Sequence, residues 1–241
     1  MNGGFRVGEL EVVNDLSPAR WLVEHIHERP LDVGAIVPTG FAAYARLLHP
    51  AYEPDPATAA RRDLPLAQRR TARRWSEVAA ETGAVVHPLV QWERIAPASY
   101  TYGDEPATGV LPVDYGTILA DFLRWHTTSE SCWFGVWRGN QPLLIPDRAS
   151  TFRLPQREMY LLRGPLSGLV RNLAPEPLRK TVNLCWPEDE AWVLGIDVDL
   201  RSTYLAASRR CVTELLDLPG LEAYAVNATD SVTIESDSVN R

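Results

Sequence analysis

At 241 residues, with 45% apolar and 23% charged side chains, the chain has the composition of an ordinary folded protein that can bury a core, which excludes disorder throughout. A formal net charge of −7 argues against generic binding to nucleic acid or to an anionic membrane. No apolar run approaches the roughly 18 residues of a membrane span, and the opening MNGGFRVGELEVV lacks the features of a signal peptide, so a cytoplasmic protein is expected.

Along the first half, FRVGELEVV predicts a short strand, and DLSPARWLVEHIHE a helix with Ser17 as N-cap and Pro18 at its first position. LDVGAIVPTG then reads as a strand stopped by Pro38 and Gly40, and FAAYARLLHP as a second extended or helical piece, with a strand favoured over 43–48. From 51 to 72 the chain is rich in Pro, Ala and Arg without an apolar period, which predicts a long loop. A helix over 73–82 follows, with Gly83 as its stop, and AVVHPLVQWERI reads as a further strand that Pro88 places at an edge or a bulge. The turn-rich stretch 98–112 is the expected linker.

The second half opens on an amphipathic helix whose stripe is Tyr115, Ile118, Leu119, Phe122, Leu123 and His126. It leads into CWFGVWR, 132–138, where alternation puts Cys132, Phe134 and Val136 on one face and Trp133, Gly135 and Trp137 on the other. Both faces are apolar, so this strand belongs in the middle of a sheet covered on both sides. A strand at REMYLLRGP, a short helix over 166–172 and a strand at AWVLGIDVDL come next. A helix over 209–217 capped by Ser208, a last strand LEAYAV and a polar, fraying tail complete the chain.

The predicted fold is α+β, with a mixed or mainly antiparallel sheet and packed helices. Both halves run helix, apolar strand to a Gly turn, strand to a Pro, which suggests two similar lobes from an internal duplication. The corresponding division is 1–97, a linker 98–112, 113–226 and a tail 227–241.

Several groups of residues are candidates for chemistry. Gly135, lacking a side chain, is expected to open a trough between Trp133 and Trp137 for a flat ligand; the competing reading is ordinary core. Arg69, Arg70, Arg73 and Arg74, with Arg61 and Arg62 before them, form the basic concentration of an acidic chain and are candidates for docking an acidic partner; a solvated loop is the alternative. His126 and Cys132 are spaced so that an imidazole could activate a thiol, although both positions also read as buried, and no catalytic residue is assigned. Cys132, Cys185 and Cys211 lack any C-x-x-C pair and read as reduced, buried thiols. His25 and His27 diverge on a helix, and Asp197 and Asp199 on one strand face, with Glu188, Asp189 and Glu190 nearby, read as a solvated strand edge and an acidic turn in preference to a cation site, so neither a metal nor a cofactor is expected.

The segments VGAIVPTGFAAYARLLHP, RRWSEVAAETG, SESCWFGVWRG and CWPEDEAWVLGIDVDLRSTYLAAS resemble a family of actinobacterial cytoplasmic proteins without an assigned activity. The resemblance implies an intact bacterial cytoplasmic protein and carries no catalytic residue. With no Gly-rich phosphate loop, nucleophile elbow or H-E-x-x-H motif, the expected function is a non-enzymatic binding protein, immunity-like or regulatory, recognising a protein or a small ligand. The alternatives are a cysteine hydrolase using Cys132 and His126, or a small-molecule or sugar binder using Trp133 and Trp137.

Overall fold

The structure, a computed structural model, describes residues 5–29, 31–64, 66–100 and 103–240, which leaves positions 65, 101, 102 and 241 of the expected loop, linker and tail outside it. Its frame is one ten-stranded sheet in which every pairing is antiparallel. A hairpin of β1 (Arg6–Val7) and β2 (Leu10–Val13) forms one edge, and β3 (Ala43–Leu48) lies near the other. A separate hairpin joins β4 (Ala51–Pro54) to β5 (Arg70–Arg73). The centre holds β6 (Cys132–Trp137) between β8 (Arg157–Gly164) and β9 (Leu184–Pro187), with β7 (Thr151–Leu154) folded back on β8. Next come β10 (Trp192–Ile196) and β11 (Ser202–Ala207), and β3 then separates β11 from the edge strand β12 (Ala223–Val226).

Alternation along these strands builds two cores. Cys132, Phe134 and Val136 face the layer that holds α4 (Val113–Leu123) and α5 (Arg209–Leu216), where Leu119, Leu123, Val212 and Leu215 are buried. Ser208 caps α5 as expected, its Oγ accepting from Cys211 N at 3.2 Å. The opposite face is covered by α1 (Arg20–His25), by the segment 33–37 and by the C-terminal segment, packed on Met159, Leu161, Leu184, Trp186 and Val193. A third cluster joins α2 (Trp75–Thr82) to α3 (Trp92–Ile95) through Trp75 and Trp92, whose rings lie 5.4 Å apart.

The α+β class, the mainly antiparallel sheet and the position of 132–137 at its centre agree with the sequence. Other expectations need correction. The helix at DLSPARW begins as a 3-10 turn, Ser17–Ala19, and Ser17 is no cap: its N–H donates to Asp15 Oδ1 at 3.0 Å. LDVGAIVPTG is no strand, because Asp32 accepts from Ala35 N at 3.0 Å and winds Val33–Ala35 into a 3-10 turn. The backbone of 84–91 forms no ladder either. Arg46 donates to the carbonyls of Pro88 (3.1 Å) and Val90 (2.7 Å), so side chains satisfy groups that a strand would have paired.

The loop expected over 51–72 contains the β4–β5 hairpin, stapled by Arg73 to Glu53 at 2.6 Å. β7, β9 and β11 were not legible. β11 is buried along its whole length, yet its Ser202 and Thr203 hide the apolar pattern; they bond across the ladder to Arg46 and His49 of the neighbouring segment.

Strands from both expected lobes share the one sheet: β2 lies on β8, and β3 lies between β11 and β12. The proposed repeat also breaks at 33–35, a 3-10 turn where the second half has β6. The tail does not fray over its described part. Val33 and Gly34 donate to the carbonyls of Asp230 (3.0 Å) and Ala228 (2.8 Å), and Val232 donates to Leu31 O at 3.2 Å. Asp237, 3% exposed, accepts from Gln91 N, His87 Nε2 and Asn240 N and so locks the end of the segment.

Candidate functional site

At the end of the sheet where β8 and β9 begin and β10 finishes, a cavity of about 320 Å³ opens on the face covered by 33–37. One glycine fixes its geometry. A Cβ on Gly195 would stand 2.8 Å from the carbonyl oxygen and Cγ2 of Ile36, so only glycine lets 33–37 lie directly against β10. Ile36 and Ala35 then wall the cavity, facing Leu154, Leu184 and Ile196, while Val232 and Thr233 of the C-terminal segment close another side. The walls are largely aliphatic, and the His27 imidazole is the one aromatic ring that lines the cavity among the described residues.

Charged groups gather at the rim. Arg157, the first residue of β8, pairs with Asp197 Oδ2 at 2.7 Å and approaches Asp199 Oδ2 at 3.6 Å. Its guanidinium lies 5.1 Å from the centre of the Trp137 ring, which fixes the side chain by a cation–π contact. Asp197 also accepts from Asp199 N at 2.9 Å, so it serves as the joint of the turn. Asn183, buried beneath the rim, accepts from Trp137 N at 2.9 Å and donates to Ile196 O at 3.1 Å. Its carboxamide thereby holds the ends of β6 and β10 in place.

His27 lines the same cavity. Its Nδ1 faces both carboxylate oxygens of Asp32 at 3.3 Å, and Asp32 is 1% exposed, which fixes the ring's orientation. Among the described residues no hydrogen bond reaches Nε2. An imidazole held by a buried carboxylate, with its other nitrogen unengaged, is equipped to accept or donate a proton. Neither His27 with Asp32 nor Arg157 was singled out as a site in the sequence. Asp32 carried a signal, an Asp three residues before Ala35, which is the N-cap spacing.

The residues singled out from sequence fare differently. Trp133 and Trp137 do share a face, half-buried, but the space above Gly135 is filled: a Cβ there would meet Leu184 Cβ at 3.2 Å and Met159 Cε at 3.4 Å. Arg163 covers the Trp133 ring at 5.6 Å. The expected trough is therefore packed with side chains, and the open space lies beyond Leu184, one residue further along the sheet.

Cys132 is 1% exposed, beside the thiol of Cys185, whose pKa burial raises well above the ordinary range. His126 turns instead to Glu214 at 3.2 Å and to the ring of Phe122. The structure thus does not supply the accessible thiolate and adjacent base of a cysteine nucleophile.

The Arg concentration is largely neutralised within the chain. Arg73 pairs with Glu53, Glu77 and Glu81, Arg70 with Asp104, and Arg61 with Asp63, while Arg69 is half-buried and Arg74 is exposed. No group of three or more His, Cys, Asp or Glu among the described residues is arranged to hold a metal ion, and no described helix is long and apolar enough to cross a membrane. No family model, curated protein or solved structure matches the chain, so the site is read from its own chemistry.

Proposed function

We propose that the protein is a binding protein whose ligand is a small molecule held in the cavity between 33–37 and the ends of β8, β9 and β10. The observation that carries this reading is a largely aliphatic hollow of about 320 Å³ that carries a few charged and hydrogen-bonding groups, Arg157, Asp197 and Asp199 at its rim together with His27 and Asn183. That division, an apolar body with a few oriented polar groups, is the usual form of a ligand site. The cavity volume falls at the small end of the usual range of roughly 300–1,000 Å³, which points to a compact ligand. Trp137 contributes from outside the cavity by holding Arg157.

The test is a ligand-observed NMR screen of compact fragments against the wild type and Ala35→Phe, whose added ring fills the cavity from its half-buried wall. Hits that bind the wild type and vanish in Ala35→Phe support the reading. A hit set unchanged by the substitution refutes it.

The His27–Asp32 pair supports a second reading, in which a cavity-bound substrate loses a proton to His27 Nε2. Turnover of any cavity-bound fragment that survives in Arg74→Ala and is lost in His27→Gln would favour it. Binding without turnover leaves the first reading standing alone.

A further inference from the structure

We infer that the cavity takes an aliphatic amine, its hydrocarbon body against the walls and its ammonium at the Asp199 side of the rim. The inference rests on the cavity being a small-ligand site, as argued above, and adds the ligand's chemical class.

The walls determine the body. With Ile26, Ile36, Leu154, Leu184 and Ile196 as lining and the His27 imidazole, tied to Asp32, as the one aromatic ring among the described lining residues, a ligand gains chiefly by burying apolar area. A straight or alicyclic hydrocarbon uses such a surface fully, and a flat heteroaromatic does not.

The rim determines the head. Two carboxylates, Asp197 and Asp199, face one guanidinium, Arg157, which leaves one negative charge in excess; a third carboxylate, Asp32, stands behind His27. Arg157 is already engaged: its amino groups point at the two aspartates and its face lies on Trp137. An incoming anion would have to break the 2.7 Å pair with Asp197, which also holds Asp199 N. Asp199 is in the opposite condition. Its nearest cation among the described residues is 3.6 Å away and its side chain is 82% exposed, so it is the least engaged carboxylate of the rim and can accept from an ammonium without breaking a close pair.

The probes are hexylamine, 1-hexanol and hexanoate, which share a chain and differ in head charge at neutral pH. Binding is read by calorimetry and by methyl NMR shifts of Ile36 and Leu184. Hexylamine is expected to bind about fivefold tighter than hexanoate, the modest factor appropriate to a solvent-exposed ion pair. Asp199→Asn, at an exposed turn position that leaves the fold intact by circular dichroism, is expected to remove most of that preference while hexanol binding stays the same. Equal affinity for all three probes, abolished by Ala35→Phe, would overturn the amine assignment and leave the cavity as a ligand site. Tightest binding by hexanoate would also overturn it and place the ligand head on Arg157. Failure of all three probes to shift Ile36 and Leu184 would overturn the amine class, while the fragment screen separately decides whether the cavity binds anything.

Discussion

Lowering the pH from 7 to 5 is expected to remove about 2 kcal/mol of folding stability through His49 alone. The imidazole follows β3 and is fully buried; its Nδ1 donates to Ala107 O at 2.7 Å and its Nε2 accepts from Thr203 Oγ1 at 2.9 Å. Burial drives its pKa down to about 4, against the opposing bond to Ala107 and with help from the charge of Arg46. In the unfolded chain the same group titrates near its ordinary 6.5. Between these values the unfolded chain takes up a proton that the folded protein refuses, so stability is full above about 6.5 and falls as pH drops toward 4. The complete loss is about 3 kcal/mol, and most of the part between pH 7 and 5 precedes the titration of ordinary carboxylates.

Urea unfolding at pH 7, 6 and 5, for the wild type and His49→Gln, measures the effect as a difference in slope, from which the other histidines cancel. Histidine ring NMR supplies the direct check, since the His49 resonance should stay unmoved down to about pH 5. A His49 resonance titrating near 6.5, or the same loss in His49→Gln, would refute the reasoning.

Other expectations follow from single contacts. Gly195→Ala forces a methyl against Ile36 and Val37 and should cost about 1–3 kcal/mol in urea unfolding, with NMR shifts at the cavity walls; an unchanged midpoint would mean that 33–37 does not lie on β10. Asp237 is held well below the usual carboxylate range: burial pushes it up, but bonds from Asn240, His87 and Gln91 outweigh that effect. Because its folded pKa is depressed, the stability it contributes is present at neutral pH and lost below about pH 4. Asp237→Ala should therefore speed amide exchange across 228–240 at pH 7, and unchanged exchange there would remove its role as a lock. Glu222 caps α2 from a distant segment, accepting from Trp75 N at 2.6 Å and Ser76 N at 3.0 Å, so Glu222→Ala should destabilise the protein by about 1–3 kcal/mol in the same assay. Cys132, Cys185 and Cys211 should resist iodoacetamide in the native protein and react on unfolding; fast native alkylation of Cys132 would contradict its burial.

What could be read without coordinates is what depends on neighbours in the chain. Alternation from 132 to 137 identified a central strand, the stripe from Tyr115 to Leu123 a packed helix, and Ser208 a cap, because period and capping are local properties. The site was legible only in outline. Trp137 and the pair Asp197 and Asp199 drew attention, but their meaning depends on Arg157, forty residues from Asp197 and legible only as the start of a strand. Segments 33–37 and 84–91 carry β-forming residues and fold otherwise, since Asp32, Arg46 and Asp237 supply the bonds that strands would have made. Only the tertiary structure could decide that the trough over Gly135 is filled while a hollow remains beyond Leu184. Free volume is fixed by which side chains from separate strands meet, and nothing along a single strand records it.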